Sequence, residues 1–551
     1  MAATAYGIHV NTLDLTSTVT NSGVIIANDT NAYSIYVDGG SGTVSNSGKL
    51  YGSIDLQGSV DMTNTGLLSI TNAGGKDSTI NGDYTQSGAG MLRVGVTNPT
   101  ADPAPNYTQL IVGGTANFGS VANLSVDVSN INALFSGAKV DDIVQVTTEL
   151  KNIDRFNVTD NSLAWQFTPV KEGKTIDLTV VGTGMTSLAA VAAGQGTAGV
   201  AGALDAILAA NPSGYSIEPL YTLTSLGTAA EVAAALQTFT PIMGGNAALS
   251  TVDVLRSGAT KIVHEHLQDA GGLSSGDDMN EKAGWIKPYG SWAKQKDRNA
   301  ALGYKADSFG LVAGRDSNIS DQWSVGGALA YSKSKVENNT GTQDVGIRTF
   351  QASVYATNHF NETNALNLQF DLGTNRNDSH RAVVGTVASA NYGSRHVMLN
   401  AELERAFKMS NKTTLTPSVG VEYVNLKVGG YAETGSPLSL IVASQSQKAL
   451  IFSLGGTAAY KLDDEATLTA HLNLGRDIKA GQNQVTASFS NFGGSTFVTN
   501  GINPSANVIR MGVGYEIEKA SGTSVVTRYD LDTKSSGYTN HILSLNLKTL
   551  F

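Results

Sequence analysis

The sequence predicts a mostly β protein that combines a β-helix, an α-helical linker and a transmembrane barrel of about 12 antiparallel strands. Three observations predict this fold: a degenerate N-terminal repeat, an Ala- and Leu-rich middle segment, and regular period-2 alternation in the second half of the chain. The predicted boundaries are residues 1–183 for the β-helix, 184–278 for the linker and 279–551 for the barrel.

The N-terminal repeat pairs Asn and Gly with flanking apolar residues. It occurs as VTNSGVI at Val19–Ile25, VSNSGKL at Val44–Leu50 and MTNTGLL at Met62–Leu68. Its starts lie roughly 18 to 25 residues apart, a period expected for the coils of a solenoid. Asn and Gly tolerate the tight corners, while the apolar residues enter a core that neighbouring coils share. A β-sandwich with ordinary hairpin turns is the alternative.

The middle segment has the composition of helices. Helices are predicted at Ala230–Phe239 and Leu249–Gln268, where Ala, Leu, Val and Glu predominate. The Gly- and Ser-rich stretch Gly271–Asp278 is predicted to be a flexible hinge.

The last half of the chain alternates strictly between apolar and polar residues. Leu366, Leu368 and Phe370, for example, alternate with Asn367 and Gln369. Each run is about ten residues long, enough for a tilted strand to cross hydrocarbon. A soluble sandwich also alternates, but here the second face carries Gly, Ser, Asn and a few carboxylates, which suits a water-filled lumen.

Strand starts and interfacial aromatic residues follow from the same alternation. The twelve strands are predicted to begin near Trp285, Tyr304, Trp323, Gly346, Ala365, Arg395, Thr413, Lys448, Ala466, Asn507, Ser524 and His541. An extra run, Val485–Phe492, is assigned to an extracellular hairpin because single-chain bacterial barrels have an even strand number. Aromatic residues near the run ends predict an interfacial girdle: Trp285, Tyr289, Trp292, Tyr304, Trp323, Tyr331, Tyr423, Tyr460, Tyr515, Tyr529 and Tyr538.

Composition and motifs exclude several classes of function. The chain has no Cys, which excludes disulfides and thiolate metal sites, and a net charge of −10 with no basic run argues against nucleic-acid binding. The G-x-S-x-G letters at Gly272–Gly276 lack the strand and helix of a hydrolase elbow, and His264–Gln268 lacks the second His of a zinc motif. The sequence predicts no active site, cofactor or metal.

The barrel region begins with GWIKPYGSW at Gly284–Trp292, and Gly303–Asp316 follows. These two segments, in this order, resemble the first and second barrel strands of a bacterial autotransporter of the type V secretion family. Val485–Ser490 is similar to a late loop, and Leu545–Phe551 is similar to the terminal assembly signal. Upstream, Asn81–Val96 followed by Tyr107–Ala116 looks like the last coils of the family's β-helical passenger, where an autochaperone region often lies.

The resemblance implies a right-handed β-helical passenger, a helix through the pore and an outer-membrane location in a Gram-negative bacterium, with the passenger at the cell surface or released. It implies outer-membrane lipid, the assembly machinery, periplasmic chaperones and a host or neighbouring-cell ligand as partners, and no nucleic acid. Met1–Val10 has no signal-peptide pattern, so an N-terminal part is expected to be missing.

The resemblance also suggests roles for individual residues. Leu545, Leu547 and Phe551 would form the barrel assembly signal, and Asn246 is a candidate for passenger cleavage, with a simple helix cap as the alternative. Polar residues of the pore helix would meet polar residues that face the lumen. The helix would supply Arg256, Lys261, Glu265 and the adjoining Asp269, and the barrel Glu402, Glu404, Arg510 and Glu516.

Three functions remain open at this stage. The first is a barrel that secretes and anchors its own passenger, with the passenger an adhesin or surface-interaction module. The second is a translocator of a passenger enzyme whose catalytic part is missing from this chain. The third is a passive porin, which would show large, steady conductance.

Overall fold

The structure is a computed structural model that describes residues 6–11, 16–27, 32–71, 77–99, 106–210, 215–270, 283–298, 301–492, 496–518 and 523–550. The chain divides into two compact units, which are described separately. The first comprises Met1–Ala193 and Ala201–Leu236, and the second comprises Gly194–Val200 and Gln237–Phe551.

Short strands rich in Val, Ile, Thr and Ser make up most of the first unit. In chain order they are β1 (Tyr6–Val10), β2 (Thr16–Asn21), β3 (Val24–Ile26), β4 (Tyr33–Val37), β5 (Ser41–Asn46), β6 (Lys49–Tyr51), β7 (Ser53–Leu56), β8 (Ser59–Asn64), β9 (Leu67–Ile70), β10 (Ser78–Ile80), β11 (Tyr84–Gln86), β12 (Met91–Asn98), β13 (Asn106–Tyr107), β14 (Leu110–Val112), β15 (Thr115–Asn117), β16 (Val121–Val128), β17 (Lys139–Val146), β18 (Glu149–Lys151), β19 (Arg155–Asp160), β20 (Trp165–Glu172) and β21 (Thr175–Gly182).

These strands wind through three parallel sheets. Successive strands visit the sheets in turn, so that one sheet has the order β1-β4-β7-β10-β14-β17, the second β2-β5-β8-β11-β15-β18 and the third β3-β6-β9-β12-β16-β19. A chain that places one strand per coil in each of three parallel sheets is a β-helix, and this confirms the predicted fold over the sandwich alternative. The right-handed sense of the coil stays a prediction.

The sequence repeat marks equivalent corners of successive coils. Asn21 Nδ2 donates to Asn46 Oδ1 and Asn46 Nδ2 donates to Asn64 Oδ1, both at 2.8 Å, so the amides form a buried ladder. The glycine two residues later allows the coils to approach closely. A Cβ on Gly48 would lie 2.1 Å from the carbonyl oxygen of Gly23, a distance that no side chain tolerates. Asn and Gly recur because the stacking of coils requires them.

The interior of the β-helix is apolar and continuous. Leu50, Ile54, Leu68, Ile80 and Leu92 are all fully buried in one cluster that extends along the three sheets. The first sheet ends in an antiparallel hairpin, in which β21 pairs with both β17 and β20. The parallel stacking of coils therefore stops at this hairpin.

Helices occupy most of the chain between β21 and the next strand. They are α1 (Leu188–Val191), α2 (Ala198–Ala210), α3 (Tyr221–Thr224), α4 (Ala229–Thr238), α5 (Ala247–Ser257) and α6 (Ala259–Ala270), with 3-10 turns at Tyr215–Leu220 and Ile242–Gly245. A further 3-10 turn, Ile131–Ala133, lies between β16 and β17. The helix predicted at Ala230–Phe239 corresponds to α4, and the single helix predicted at Leu249–Gln268 is two helices separated at Gly258. No described helix is both long and apolar enough to cross a membrane. The predicted hinge at Gly271–Asp278 lies outside the described residues.

Longer strands follow. They are β22 (Ala283–Gln295), β23 (Tyr304–Asn318), β24 (Trp323–Asn338), β25 (Gln343–Asn361), β26 (Asn364–Val383), β27 (Thr386–Arg405), β28 (Phe407–Lys408), β29 (Thr413–Val428), β30 (Tyr431–Ala432), β31 (Leu440–Val442), β32 (Gln445–Lys461), β33 (Ala466–Asp477), β34 (Gln484–Phe489), β35 (Phe497–Asn500), β36 (Asn507–Glu518), β37 (Thr523–Lys534) and β38 (Tyr538–Leu550).

Twelve of these strands close into an antiparallel barrel. The order is β27-β26-β25-β24-β23-β22-β38-β37-β36-β33-β32-β29, and the pairing of β29 with β27 closes the ring. The predicted strand number is confirmed, and β27 shows the largest error in a predicted start because it begins at Thr386 rather than near Arg395. The extra run forms β34, which pairs with β35 and β31 in a separate four-stranded sheet.

The two faces of the barrel wall differ in chemistry. Its apolar side chains point outward, as Leu329, 71% exposed, and Leu454, 63% exposed, illustrate. Its polar side chains, such as Asn367, Gln369 and Asp371, point inward and are buried. This is the polarity that a barrel needs when hydrocarbon surrounds it.

The aromatic girdle prediction is wrong for four residues. Trp285, Tyr289, Tyr304 and Tyr538 are buried on the inner face, whereas others of the set, such as Trp292, are exposed. The inward rings fit because the next strand carries glycine: a Cβ on Gly310 would lie 2.5 Å from the ring of Tyr289. Proximity to a strand end therefore does not show which face an aromatic residue occupies.

Candidate functional site: the helix pair in the barrel

Helices α5 and α6 lie inside the barrel. α6 contacts β23, β24, β25 and β26, and α5 contacts β23, β29 and β32, so the pair touches strands on several sides of the ring. The break at Gly258 is shaped by the wall, because a Cβ there would lie 2.8 Å from the hydroxyl of Tyr289. A predominantly polar interior thus encloses a helical segment that precedes the first barrel strand.

Charged residues of α5 pair with carboxylates and cations of the wall. Arg256 Nε forms a close ion pair with Glu422 Oε1, and Arg510 Nη2 lies 2.6 Å from the other oxygen of Glu422. Lys534 Nζ is 2.5 Å from Asp253 Oδ1, and Tyr304 donates its hydroxyl to Asp253 Oδ2 at 2.6 Å. Glu422 therefore bridges two guanidinium groups, one on the helix and one on the wall.

The second helix continues this pattern. Lys261 Nζ lies 3.4 Å from Asp530 Oδ1 and 3.4 Å from Asp532 Oδ1. Ser544 Oγ lies 3.4 Å from Glu265 Oε2. Burial of a charge is costly unless a partner of opposite charge is present, so these pairs define how the helix is seated.

Each histidine of the His264–Gln268 motif has its own carboxylate. His264 Nε2 is 2.6 Å from Glu402 Oε2, and Gln268 Nε2 donates to the same oxygen at 3.1 Å. His266 points elsewhere: its Nε2 is 2.7 Å from Asp316 Oδ2, and its ring stacks on Trp285 with centroids 4.1 Å apart. The two histidines do not converge on one point, as their positions on the helix predict.

Apolar contacts complete the seating of the helices. Ile262 and Val263 of α6 pack against Trp285 and Tyr289. Val252 of α5 packs against Met398, and Thr260 Oγ1 lies 2.9 Å from the sulfur of the same methionine. Met398 is the one large apolar residue on the polar face of its alternating run. Its contact with the helices explains why an apolar residue occupies this position.

The segment before α5 has an unusual backbone. Met243, Gly244 and Gly245 all have positive φ, at 59°, 57° and 84°. Asn246 follows and is fully buried, and its side chain does not cap the helix. Instead its Nδ2 donates to Leu302 O at 3.1 Å and its Oδ1 accepts from Ile502 N at 2.7 Å. Passenger cleavage at Asn246 stays a prediction.

The residues predicted to face the lumen occupy different surroundings. Glu402 contacts α6 through His264, and Arg510 reaches α5 through the shared partner Glu422. Glu404 is buried and accepts a hydrogen bond from Asn367 at 2.5 Å. Glu516 is half-buried. The side chain of Asp269 lies outside the described residues.

The residues of the terminal motif lie at the barrel surface where they are described. Leu545 and Leu547 are on the exposed, apolar face of β38. Phe551 lies outside the described residues. Their role as an assembly signal stays a prediction.

Sequence reasoning missed several lumen residues. Glu422, Asp530, Asp532 and Lys534 all contact the helices but were not selected. A signal for three of them is present in the sequence, because Arg528, Asp530, Asp532 and Lys534 place a charge at every second position of β37. Such a run can face only one side of a strand.

The space beside the helices is small and lined largely by polar side chains. Among the described residues, no group of three or more His, Asp or Glu side chains is arranged to hold a metal ion. The cavity between α6 and the wall, lined by Lys261, His264, Glu402 and Arg510 among others, has a volume of about 70 Å³. This volume is large enough for about two water molecules at about 30 Å³ each.

Comparison with known proteins assigns the barrel to a family. Residues 284–530 match the family model described as the autotransporter beta-domain. Outer membrane protein A of Rickettsia rickettsii is 29% identical over 267 residues, which cover 44% of this chain and 12% of that protein. A protein described as an extracellular serine protease of Serratia marcescens is 27% identical over 199 residues, covering 35% of this chain and 19% of that protein.

Among solved structures, this chain is similar to the translocator domain of the autotransporter NalP from Neisseria meningitidis. It is 16% identical, with a TM-score of 0.45 over 54% of this chain and 98% of that one. This chain spans only 12% of the length of outer membrane protein A. The barrel of this chain is an autotransporter β-domain, and the protein is located in the outer membrane.

Proposed function

We propose that this protein secretes its own β-helical passenger through the outer membrane and anchors it there. The observation that carries the proposal is the pair of helices held inside the barrel by buried ion pairs, chiefly Arg256 with Glu422 and Lys261 with Asp530. A segment that joins a passenger to a barrel and fills the lumen is the arrangement expected after the passenger has crossed.

The composition of the passenger supports passage in an unfolded state. The chain contains no Cys, so no disulfide can close a loop too wide to thread. Once outside, each new coil gains buried apolar surface and another rung of the Asn21–Asn46–Asn64 ladder. Stacking of coils would then draw the chain outward and oppose its return.

Insertion of the barrel would depend on the outer-membrane assembly machinery and on periplasmic chaperones. Leu545 and Leu547 lie on the exposed face of β38. The assembly machinery can contact them there before the barrel is inserted into lipid. Deletion of Phe551 should abolish assembly, measured as the loss of a heat-modifiable band in outer-membrane fractions. If assembly is unchanged by the deletion, the proposed terminal signal is refuted.

We assign the passenger the role of an adhesin or surface-interaction module. Its stacked strands give a long, mostly polar outer surface. The similar protein of Rickettsia rickettsii is named outer membrane protein A, after the same membrane. Contact with a host or neighbouring cell would use this surface.

Protease treatment of intact cells tests the display of the passenger. Protease should remove residues 1 to about 240 and leave a heat-modifiable core of about residues 284–551, as the unit boundary near Leu236 leads us to expect. A passenger that becomes sensitive only after the outer membrane is broken would contradict secretion.

A passenger enzyme is the second candidate, favoured by similarity to the protein described as an extracellular serine protease. In that case the catalytic part would belong to a longer protein. Peptide hydrolysis by cells that make the longer protein, and its absence from cells that make residues 1–551, would favour the enzyme over the adhesin.

A further inference from the structure

Four aromatic rings lie together on the outer face of the β-helix. Tyr6 and His9 come from β1, and Tyr33 and Tyr36 come from the adjacent parallel strand β4. Ring centroids are 4.7 Å apart for Tyr6 and His9, 5.0 Å for Tyr6 and Tyr36, and 5.4 Å for Tyr33 and Tyr36. We call these four residues the aromatic platform.

The platform points away from the core. Ile35 and Val37 enter the buried cluster, so Tyr36 between them is directed outward by the period-2 alternation of the strand. Tyr6 is 40% exposed. The rings of Tyr6 and Tyr33 are nearly parallel, with an interplanar angle of 11° and centroids 6.3 Å apart. The ring of Tyr36 is tilted by 44° to that of Tyr6 and by 45° to that of Tyr33, so the three tyrosines form an angled aromatic surface across two strands.

Hydrogen-bonding groups border the platform. Asp38 Oδ2 is 3.6 Å from His9 Nε2, and Asp38 accepts a hydrogen bond from the hydroxyl of Tyr36, which raises the pKa of that tyrosine. Asp55 is the register neighbour of Tyr36 on β7 and accepts from Gln57 Nε2. Asn81 Nδ2 donates to Gln57 Oε1 at 3.1 Å, which extends the polar border to the next coil.

We propose that the aromatic platform binds an oligosaccharide built from uncharged sugars. The flat apolar face of a sugar ring stacks on a flat aromatic face, while its outward hydroxyls need carboxylate and amide partners at the edge. Tyr6, Tyr33 and Tyr36 supply the first requirement, and Asp38 and Asp55 supply the second. The inference rests on the proposed surface role of the passenger and names its ligand class.

Charge and shape decide between this ligand and its competitors. Asp38 and Asp55 make the border acidic, so a sialylated or sulfated glycan is repelled. A quaternary ammonium group is best held by rings that stand around it as walls. The three tyrosine rings come from two adjacent strands of one sheet, so they line one side of a ligand and do not surround it.

Binding can be measured on the purified full chain in detergent, independently of secretion. Maltohexaose, cellohexaose and chitohexaose are the neutral probes, 3′-sialyllactose is the acidic probe and tetramethylammonium is the cationic probe. At least one neutral hexasaccharide should bind, and the acidic and cationic probes should not. Tyr36→Ala and Tyr6→Ala should each weaken neutral binding by about tenfold, as expected when one stacked ring is removed.

Two further variants keep the test decisive. Phe135→Ala removes an exposed aromatic ring of the β-helix outside the platform, and it should leave binding unchanged. Asp38→Asn should relax the exclusion of 3′-sialyllactose while leaving the fold intact. The proposal is overturned if no neutral probe binds, if Tyr36→Ala binds as the unaltered chain does, or if tetramethylammonium binds more tightly than every sugar. Loss of protease accessibility on cells would instead count against secretion.

Discussion

The β-helix and the barrel use the same alternation of side chains with opposite polarity. In the β-helix, residues such as Ile54 and Leu68 point inward to an apolar core. In the barrel, Leu329 and Leu454 point outward and charged groups such as Glu422 and Asp530 lie inside. Alternation thus identifies a strand but does not show which of its faces is buried. The composition of each face shows whether it borders an apolar core, hydrocarbon or a polar interior.

Charges are also buried differently in the two regions. Glu422 and Asp530 each lie beside a cation of the helix pair. In the β-helix, the buried carboxylate of Asp160 accepts a hydrogen bond from the backbone N–H of Ser162 at 2.9 Å. Ion pairs therefore stabilise the polar interior of the barrel, whereas a buried carboxylate in the apolar β-helix resists ionisation.

The largest effect is expected from the loss of Glu422. The Glu422→Gln substitution leaves the buried side chain of Arg256 and the partly buried side chain of Arg510 with only longer contacts to Asp253 and Asp532. The removal of one partner of a buried ion pair costs about 3–5 kcal/mol. The barrel should lose heat resistance in gel migration, and single channels in bilayers should open more often because the helices are less firmly held. Glu362→Gln, at an exposed turn, is the control and should change neither property.

A matched pair of leucines sharpens the contrast in polarity. Leu68→Ala should destabilise the β-helix by about 2–5 kcal/mol because it leaves a cavity in a packed core. Leu329→Ala removes the same atoms from an exposed face of the barrel and should cost much less. Urea unfolding followed by pulse proteolysis measures the first, and heat-modifiable migration measures the second. Equal losses in both would refute the assignment of faces.

The stability of the β-helix should depend on pH through Asp160. Burial raises the pKa of Asp160 to about 8, with the Ser162 N–H opposing the shift. Because the folded pKa lies above the unfolded value, stability is complete below about pH 4 and falls as the pH rises through 8, by up to about 1.4 kcal/mol per unit, or about 2–3 kcal/mol from pH 6 to 8.

Asp160→Asn should remove this loss, so that the variant unfolds at the same urea concentration at pH 6 and pH 8. Proteolysis of purified protein at the two pH values is the measurement. A loss that persists in the variant would mean that another group titrates.

The smallest of the expected effects concerns the packing of coils. Gly48→Ala places a Cβ against the carbonyl oxygen of Gly23 and should destabilise the β-helix by about 1–3 kcal/mol. Gly23 occupies the equivalent corner of its own coil, but the nearest atom to a Cβ there is 3.9 Å away. Gly23→Ala should therefore be tolerated, and similar unfolding curves for both variants would argue against coil stacking as the reason for the repeat.

Much of this fold follows from the sequence because its physical causes are local. The Asn-Gly repeat marks coil corners at Asn21, Asn46 and Asn64, and the barrel strands begin close to their predicted positions. The inward turn of Trp285 and Tyr289 was not predictable from position along a strand. It depends on the next strand, where Gly314 lies opposite Trp285 and Gly310 lies opposite Tyr289. These pairs are known only once the register of the two strands is known.

The contacts of the lumen were harder to predict than its polarity. Glu402 was selected from its alternating run, but its partner His264 belongs to a helix whose rotation in the barrel the sequence does not specify. The same is true of Glu422 and Arg256, which are separated by 166 residues along the chain. Long-range pairs of this kind depend on how two separately formed elements dock.

The hairpin of β20 and β21 has a consequence for solubility. A stack of parallel coils exposes unpaired backbone groups at its last strand, and such an edge can recruit the edge of another molecule. Here the outermost strand of the first sheet is β20, which pairs only with β21 and carries Pro169, Lys171 and Glu172. Proline lacks the N–H donor, and two charged side chains disfavour a dry contact. This edge is therefore protected against edge-to-edge pairing with the β-helix of another copy.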